Sequence, residues 1–205
     1  SGRNSGVLHA GFYYSPDSLK AKFCRLGNLE LRNFCKENDL EILETGKVVV
    51  CQDNQDVLRL EELYRRGIAN GVNIEILDKN ELNKIEPEIK CEAALYVHRD
   101  GSTDYFTLTN SIMKDSKKNG INFLFNKKIT QIKKIKDKWE ITINGDHKIF
   151  TYFLINAAGG QAIDIAHSMG VAKNLTDVHF RGEYWKTPKK YHTLTKTSVY
   201  SVPEF

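Results

Sequence analysis

The chain has 205 residues, 40% of them hydrophobic, and a net charge of +4, enough apolar content for a real core in one or two domains. The basic excess is small and spread out, which argues against nucleic-acid binding. Four cysteines without C-x-x-C spacing and six scattered histidines argue against both a disulfide framework and a metal site. No signal peptide or run of 18 apolar residues is present, so no integral membrane segment is expected. A cytoplasmic protein is expected, with peripheral attachment at the inner membrane as the other placing.

The opening eleven residues, Ser-Gly-Arg-Asn-Ser-Gly-Val-Leu-His-Ala-Gly, combine glycines with a cation, an amide and an imidazole. Glycine lets backbone N–H groups approach a ligand closely, and Arg3 and Asn4 add donors suited to phosphate or carbonyl oxygens. Ser15-Pro16-Asp17 then reads as a helix start, with Leu19, Phe23, Leu26, Leu31 and Phe34 as an inward stripe to about Lys36. Gly46 to Cys51 is a β-branched strand. A helix follows from about Gln55 to Asn70, then a strand over residues 73–76. Asp78 and Glu81 form a capping box for a short helix closed by Pro87. Ala93–Val97 is a further strand.

Asp104 caps a helix carrying Tyr105, Leu108 and Ile112, ended by Gly120. Ile121–Phe125 reads as a strand. Residues 128–135, 139–143 and 148–152 read as an antiparallel meander, with Asn144-Gly145 as its turn. Its lysines (127, 128, 133, 134, 136 and 138) alternate with isoleucines, as on the wet face of a strand pair. Phe153–Ile155 is expected to re-enter a sheet before the small-residue turn Asn156-Ala157-Ala158-Gly159-Gly160. A helix from Gln161 to Gly170 follows. Two glycine-rich backbone sites about 150 residues apart in one α/β chain suggest an extended, phosphate-bearing cofactor.

Several motifs resemble a known family. Residues 1–14, Ser18-Leu-Lys-Ala-Lys22, Gly46-Lys-Val-Val-Val50, Asp104-Tyr105, Ile155-Asn-Ala-Ala-Gly159, Phe180-Arg-Gly-Glu-Tyr184 and Val202-Pro203 resemble the FAD-dependent D-amino-acid-oxidase-like superfamily. More narrowly they resemble L-2-hydroxyglutarate oxidases and dehydrogenases. The resemblance implies an α/β fold: an α+β substrate domain attached to part of a Rossmann-like FAD-binding domain. Residues 1–40 would be the flavin-facing loop and helix, 41–100 a substrate-domain portion, 101–175 the middle of the FAD domain with its meander, and 176–205 a return to the substrate domain. The family's G-x-G-x-x-G turn would lie before Ser1, and its C-terminal segment would follow Phe205. The chain therefore reads as a fragment whose neighbouring strands would expose unpaired edges.

The resemblance also implies site residues. Gly2, Arg3, Asn4, Ser5, Gly6, Ile129, Asn156, Ala157, Ala158, Gly159 and Gly160 would hold FAD. His9, an imidazole titrating near neutrality, would take or orient the substrate hydroxyl. Arg181, on an expected strand, would hold a carboxylate with two hydrogen bonds. Tyr13, Tyr14 and Lys47 would line the substrate pocket. The implied reaction oxidises a small 2-hydroxy acid, L-2-hydroxyglutarate foremost, with oxygen or a quinone as electron acceptor. Two rival readings are a glycerol-3-phosphate or amino-acid oxidase of the same superfamily, and a truncated, non-catalytic binding module.

Overall fold

The computed structural model describes residues 4–203. It divides into two units: one runs to Gly120 and resumes at Lys186, and the other is Ile121–Trp185. The expected sites Gly2 and Arg3 lie outside the described residues.

In the first unit, β1 (Val7–Leu8) leads through a loop to α1 (Leu19–Glu37). Next come β2 (Lys47–Val50), α2 (Asn54–Ala69), β3 (Ile74–Asp78), α3 (Lys79–Ile85), β4 (Ala93–Val97), β5 (Gly101–Ser102) and α4 (Tyr105–Lys118). The cap of α1 is Ser18, whose hydroxyl accepts the Ala21 N–H, and not the expected Ser15. Ser15 instead offers its carbonyl to Ser18 and closes a turn ahead of the helix. The capping box of α3 is present as expected: the Asp78 carboxylate accepts the Glu81 N–H, and Glu81 reaches back to the Asp78 N–H.

Leu19, Phe23 and Leu26 of α1 do not form the expected inward stripe; all three are exposed. The helix buries Ala21 and Cys35 instead. The reason is polar: Cys24 and Asn28 must reach the carbonyls of Leu8 and His9, and this sets the face turned inward.

In the second unit, β6 (Ile129–Ile135), β7 (Lys138–Ile143) and β8 (His147–Thr151) form the expected meander. Asn144 (φ 54°) and Gly145 (φ 95°) both take the left-handed conformation that a tight hairpin turn needs. A single 3-10 turn, Gly159–Gln161, leads into α5 (Ala162–Ser168). Three expectations fail here. Ile121–Phe125 and Phe153–Ile155 are not strands, and Arg181 lies in irregular chain. An apolar run becomes a strand only where a neighbouring strand satisfies its backbone, and among the described residues none does so.

The chain returns to the first unit with β9 (Ser198–Ser201), a strand the sequence did not announce. The main sheet has the order β3-β4-β2-β9, with β2 antiparallel to β4 and parallel to β9. Each face is covered, which explains the unbroken apolar run of Val48, Val49 and Val50. Val49, Leu95, Val97 and Val202 pack with Ala10, Phe12 and the α2 residues Leu60 and Leu63. Val48, Leu77 and Ala94 pack with Leu82 of α3.

Candidate active site and cofactor cradle

The loop between β1 and α1 is held by side chains that reach its backbone carbonyls. Asn28 donates to Leu8 (2.9 Å) and His9 (3.1 Å). Asn70, buried at the end of α2, donates to Gly11 and Tyr14 at 3.0 Å each. Arg66 donates to Tyr13 (3.1 Å). Such contacts leave the loop few alternative conformations. Asn28, Arg66 and Asn70 were not among the expected site residues, because an amide or guanidinium on a helix has no local mark of such a task.

Beneath this loop Lys47, at the start of β2, is fully buried. Its ammonium is paired with the equally buried Asp100. The rings of Tyr200, Tyr13 and Phe12 surround the ammonium, with centroids 4.5, 5.7 and 5.8 Å from Nζ. Thus Tyr13 and Lys47 lie side by side, while Asp100 and Tyr200 went unrecognised in the sequence.

His9 stays open to solvent on one side. Partial burial and then the Lys47 ammonium push its pKa below the usual imidazole value, and Asp100 pulls weakly the other way. The ring is therefore neutral at pH 7 and able to accept a proton. Burial drives the Tyr13 phenol well above the ordinary tyrosine range, with Asp100 adding to it. Tyr13 is a hydrogen-bond donor here, not an anion. Tyr14 is half-buried, with Lys20 Nζ 5.8 Å from its ring centroid.

The glycine-rich elements expected to hold the cofactor are both shaped by their own local contacts. Gly6 has φ +75°, and a Cβ there would stand 3.2 Å from the Thr103 carbonyl oxygen. The Asn4 amide oxygen accepts the Gly6 N–H (2.8 Å), and the Ser5 hydroxyl lies 3.5 Å from the Val7 nitrogen. With Thr103 and Asp104 these three residues line a groove of about 220 Å³.

In the second unit Ile129 and Ala158 line one cleft of about 1130 Å³, with Lys127, Lys128 and Lys133 on its β6 side. Asn156 clamps the turn by donating to the Ala162 carbonyl (2.8 Å). Ala157 is exposed. A Cβ on Gly159 would meet nothing within 4 Å, so the main chain of this turn is open to a ligand. Basic side chains and bare backbone beside a cleft of this size fit a dinucleotide. Arg181 is apart from this cradle, exposed, with Glu183 3.6 Å away as its ion-pair partner.

A mixed α/β architecture with side-chain-poor backbone turns is compatible with a nucleotide-binding enzyme. The chain belongs to the FAD dependent oxidoreductase family, whose model matches residues 1–205. Among characterised relatives, the L-2-hydroxyglutarate dehydrogenase of Escherichia coli (strain K12) is 29% identical over 204 residues, spanning 100% of this chain and 48% of that protein. The mitochondrial L-2-hydroxyglutarate dehydrogenase of Caenorhabditis briggsae is 36% identical over 212 residues, again 100% of this chain and 48% of that protein. The chain thus spans about half the length of these relatives.

Among solved structures, dithionite-reduced L-alpha-glycerophosphate oxidase from Mycoplasma pneumoniae with FAD bound superposes with a TM-score of 0.76 at 23% identity, covering 98% of this chain and 55% of that one. Glycine oxidase from Geobacillus kaustophilus gives 0.77 at 15% identity, with the same coverages. These two likenesses concern the fold. No helix among the described residues is long and apolar enough to cross a membrane.

Proposed function

We propose that the protein carrying this chain oxidises a small 2-hydroxy acid, L-2-hydroxyglutarate before others, to the 2-oxo acid, here 2-oxoglutarate. The similarity to L-2-hydroxyglutarate dehydrogenases supports this reading, together with His9 on a loop clamped by Asn28 and Asn70, its pKa lowered by burial and the Lys47 ammonium. His9 accepts the hydroxyl proton as the carbonyl forms, or orients the hydroxyl for its loss. FAD, when bound, supplies the two-electron acceptor. Gly2, Arg3, Asn4, Ser5 and Gly6 of the first unit are assigned to FAD, and so are Ile129, Asn156, Ala157, Ala158, Gly159 and Gly160 of the second, chiefly through main-chain groups.

For the substrate, Tyr13, Tyr14 and Lys47 are assigned to pocket lining, and Arg181 is assigned to a carboxylate through its planar fork. Oxygen or a quinone would take the electrons onward, in the cytoplasm or with the protein attached peripherally at the inner membrane. The test is a substrate panel on the full-length, flavin-loaded protein: L- and D-2-hydroxyglutarate, L-lactate, glycerol 3-phosphate and amino acids. Turnover concentrated on L-2-hydroxyglutarate supports the proposal; turnover on glycerol 3-phosphate or an amino acid in its place refutes it. His9→Ala is expected to lower kcat by about 10²–10⁴-fold with flavin retained. Arg181→Lys is expected to raise KM with kcat little changed.

A further inference from the structure

The interior of the main sheet is built from valine, leucine and alanine, yet it contains one ion pair, Lys47–Asp100. Beyond that pairing, neither the Lys47 ammonium nor either Asp100 carboxylate oxygen has a hydrogen-bond partner among the described residues. Taking two charges out of water costs about as much as their attraction returns, so apolar residues of similar shape would serve stability equally well. Stability does not account for the pair, and its placement suggests another role.

The Asp100 carbonyl accepts the Gly46 N–H (2.9 Å), which ties its backbone to the residue before Lys47. The next residue, Gly101, is paired with Leu8 in the β1–β5 ladder. Asp100 and His9 are the residues adjoining this last pair, one on each strand. One aspartate thus joins the imidazole loop to the strand that bears the ammonium.

We infer that Asp100 is a positioning residue of this site, holding the Lys47 ammonium in the aromatic box of Phe12, Tyr13 and Tyr200, across the strand pair from His9. The inference rests on the proposed reading of His9 as the group that handles the substrate proton. Among the described residues, the titratable or charged groups at this point include Tyr13 and Tyr14 from the loop, Cys24 from α1, Lys47 from β2, Asp100 before β5 and Tyr200 from β9. Of the two that act most on His9 through charge, Lys47 outweighs Asp100. Burial is the larger cause of the lowered His9 pKa, and the pair adds to it through Lys47, while the carboxylate makes a buried ammonium tolerable at this position.

The test uses the full-length, flavin-loaded protein with Lys47→Met, Asp100→Asn and the double variant. Each single change leaves a lone charge in the core and is expected to lower Tm by about 10 °C. The double variant is expected to melt within about 3 °C of wild type. Its His9 ring, followed by NMR on histidine-labelled protein, is expected to titrate at higher pH than in wild type, because the larger of the two opposing charges has gone.

Three results overturn the inference: singles as stable as wild type, a double as unstable as the singles, or a stable double whose His9 titration is unmoved. Neither melting nor NMR needs a substrate. A wild-type protein inert toward 2-hydroxy acids would therefore defeat the proposed function while leaving this test intact.

Discussion

Replacing Glu86 by alanine should loosen the C-terminal strand β9 from a point 110 residues away in sequence. Glu86 is fully buried at the end of α3. Its Oε1 accepts the backbone N–H of Lys196 (2.7 Å) and that of Thr197, the two residues just before β9. Truncation removes both bonds and leaves two donors with no acceptor. Hydrogen bonds to a charged group contribute about 1.5–3 kcal/mol each, and an unsatisfied buried donor costs about 1–3 kcal/mol. A conservative sum is about 3–4 kcal/mol.

Strand β9 lies at the edge of its sheet, anchored to β2 by the Ser198 N–H to the Gly46 carbonyl and the Val202 N–H to the Val50 carbonyl. Much of the loss should therefore appear as local opening. Hydrogen exchange over residues 198–202 should quicken by about two to three powers of ten, since each 1.4 kcal/mol is tenfold. Glu86→Gln keeps one acceptor for the two N–H groups, so it should lose less than half as much. The expected readout is exchange measured by mass spectrometry on full-length protein. Unchanged exchange in β9 for Glu86→Ala would refute the idea that this carboxylate latches the strand.

Three other outcomes follow from the same structure. Gly46→Ala should destabilise by about 1–3 kcal/mol in a denaturant titration, because φ is +71° and a Cβ would stand 2.8 Å from the Tyr96 hydroxyl. Burial pushes the Cys51 thiol up to about 11, so at pH 8 it should alkylate about a hundredfold more slowly than an unperturbed thiol, by peptide mass spectrometry. For His9, burial and Lys47 set the folded pKa below the unfolded value of 6.5. The unfolded chain therefore binds the proton first as pH falls, so the stability tied to His9 is complete above 6.5 and is lost below it. The acid limb of kcat/KM should accordingly lie below pH 6.5, and a limb above it would contradict the neutral-ring assignment.

Elements with a local cause could be read from the chain. Strand β4 coincides with its expected residues, Ala93–Val97. The Asp78–Glu81 capping box, the Asp104 cap and the Asn144-Gly145 turn all formed, since each is set by side chains within four residues of the backbone they satisfy. Ile121–Phe125 and Phe153–Ile155 looked equally convincing as strands and are not, because strand formation depends on a neighbour that a local pattern does not reveal. The opposite error was β9, whose Ser-Val-Tyr-Ser is too short and polar to signal a strand, and which exists because β2 offers a free edge.

The same division holds at the site. The glycine turns and His9 stood out in the sequence, since small residues in series and an imidazole among them are unusual locally, whereas Tyr13 and Lys47 were named only through the family resemblance. Asp100 did not stand out: it is one of 26 acidic residues and has no distinguishing neighbours. Its character comes from two short strands some ninety residues apart pairing so that a carboxylate is carried into the core against an ammonium. Short-range stereochemistry is encoded where it acts. Burial and the electrostatics it creates belong to chain segments that meet only after folding.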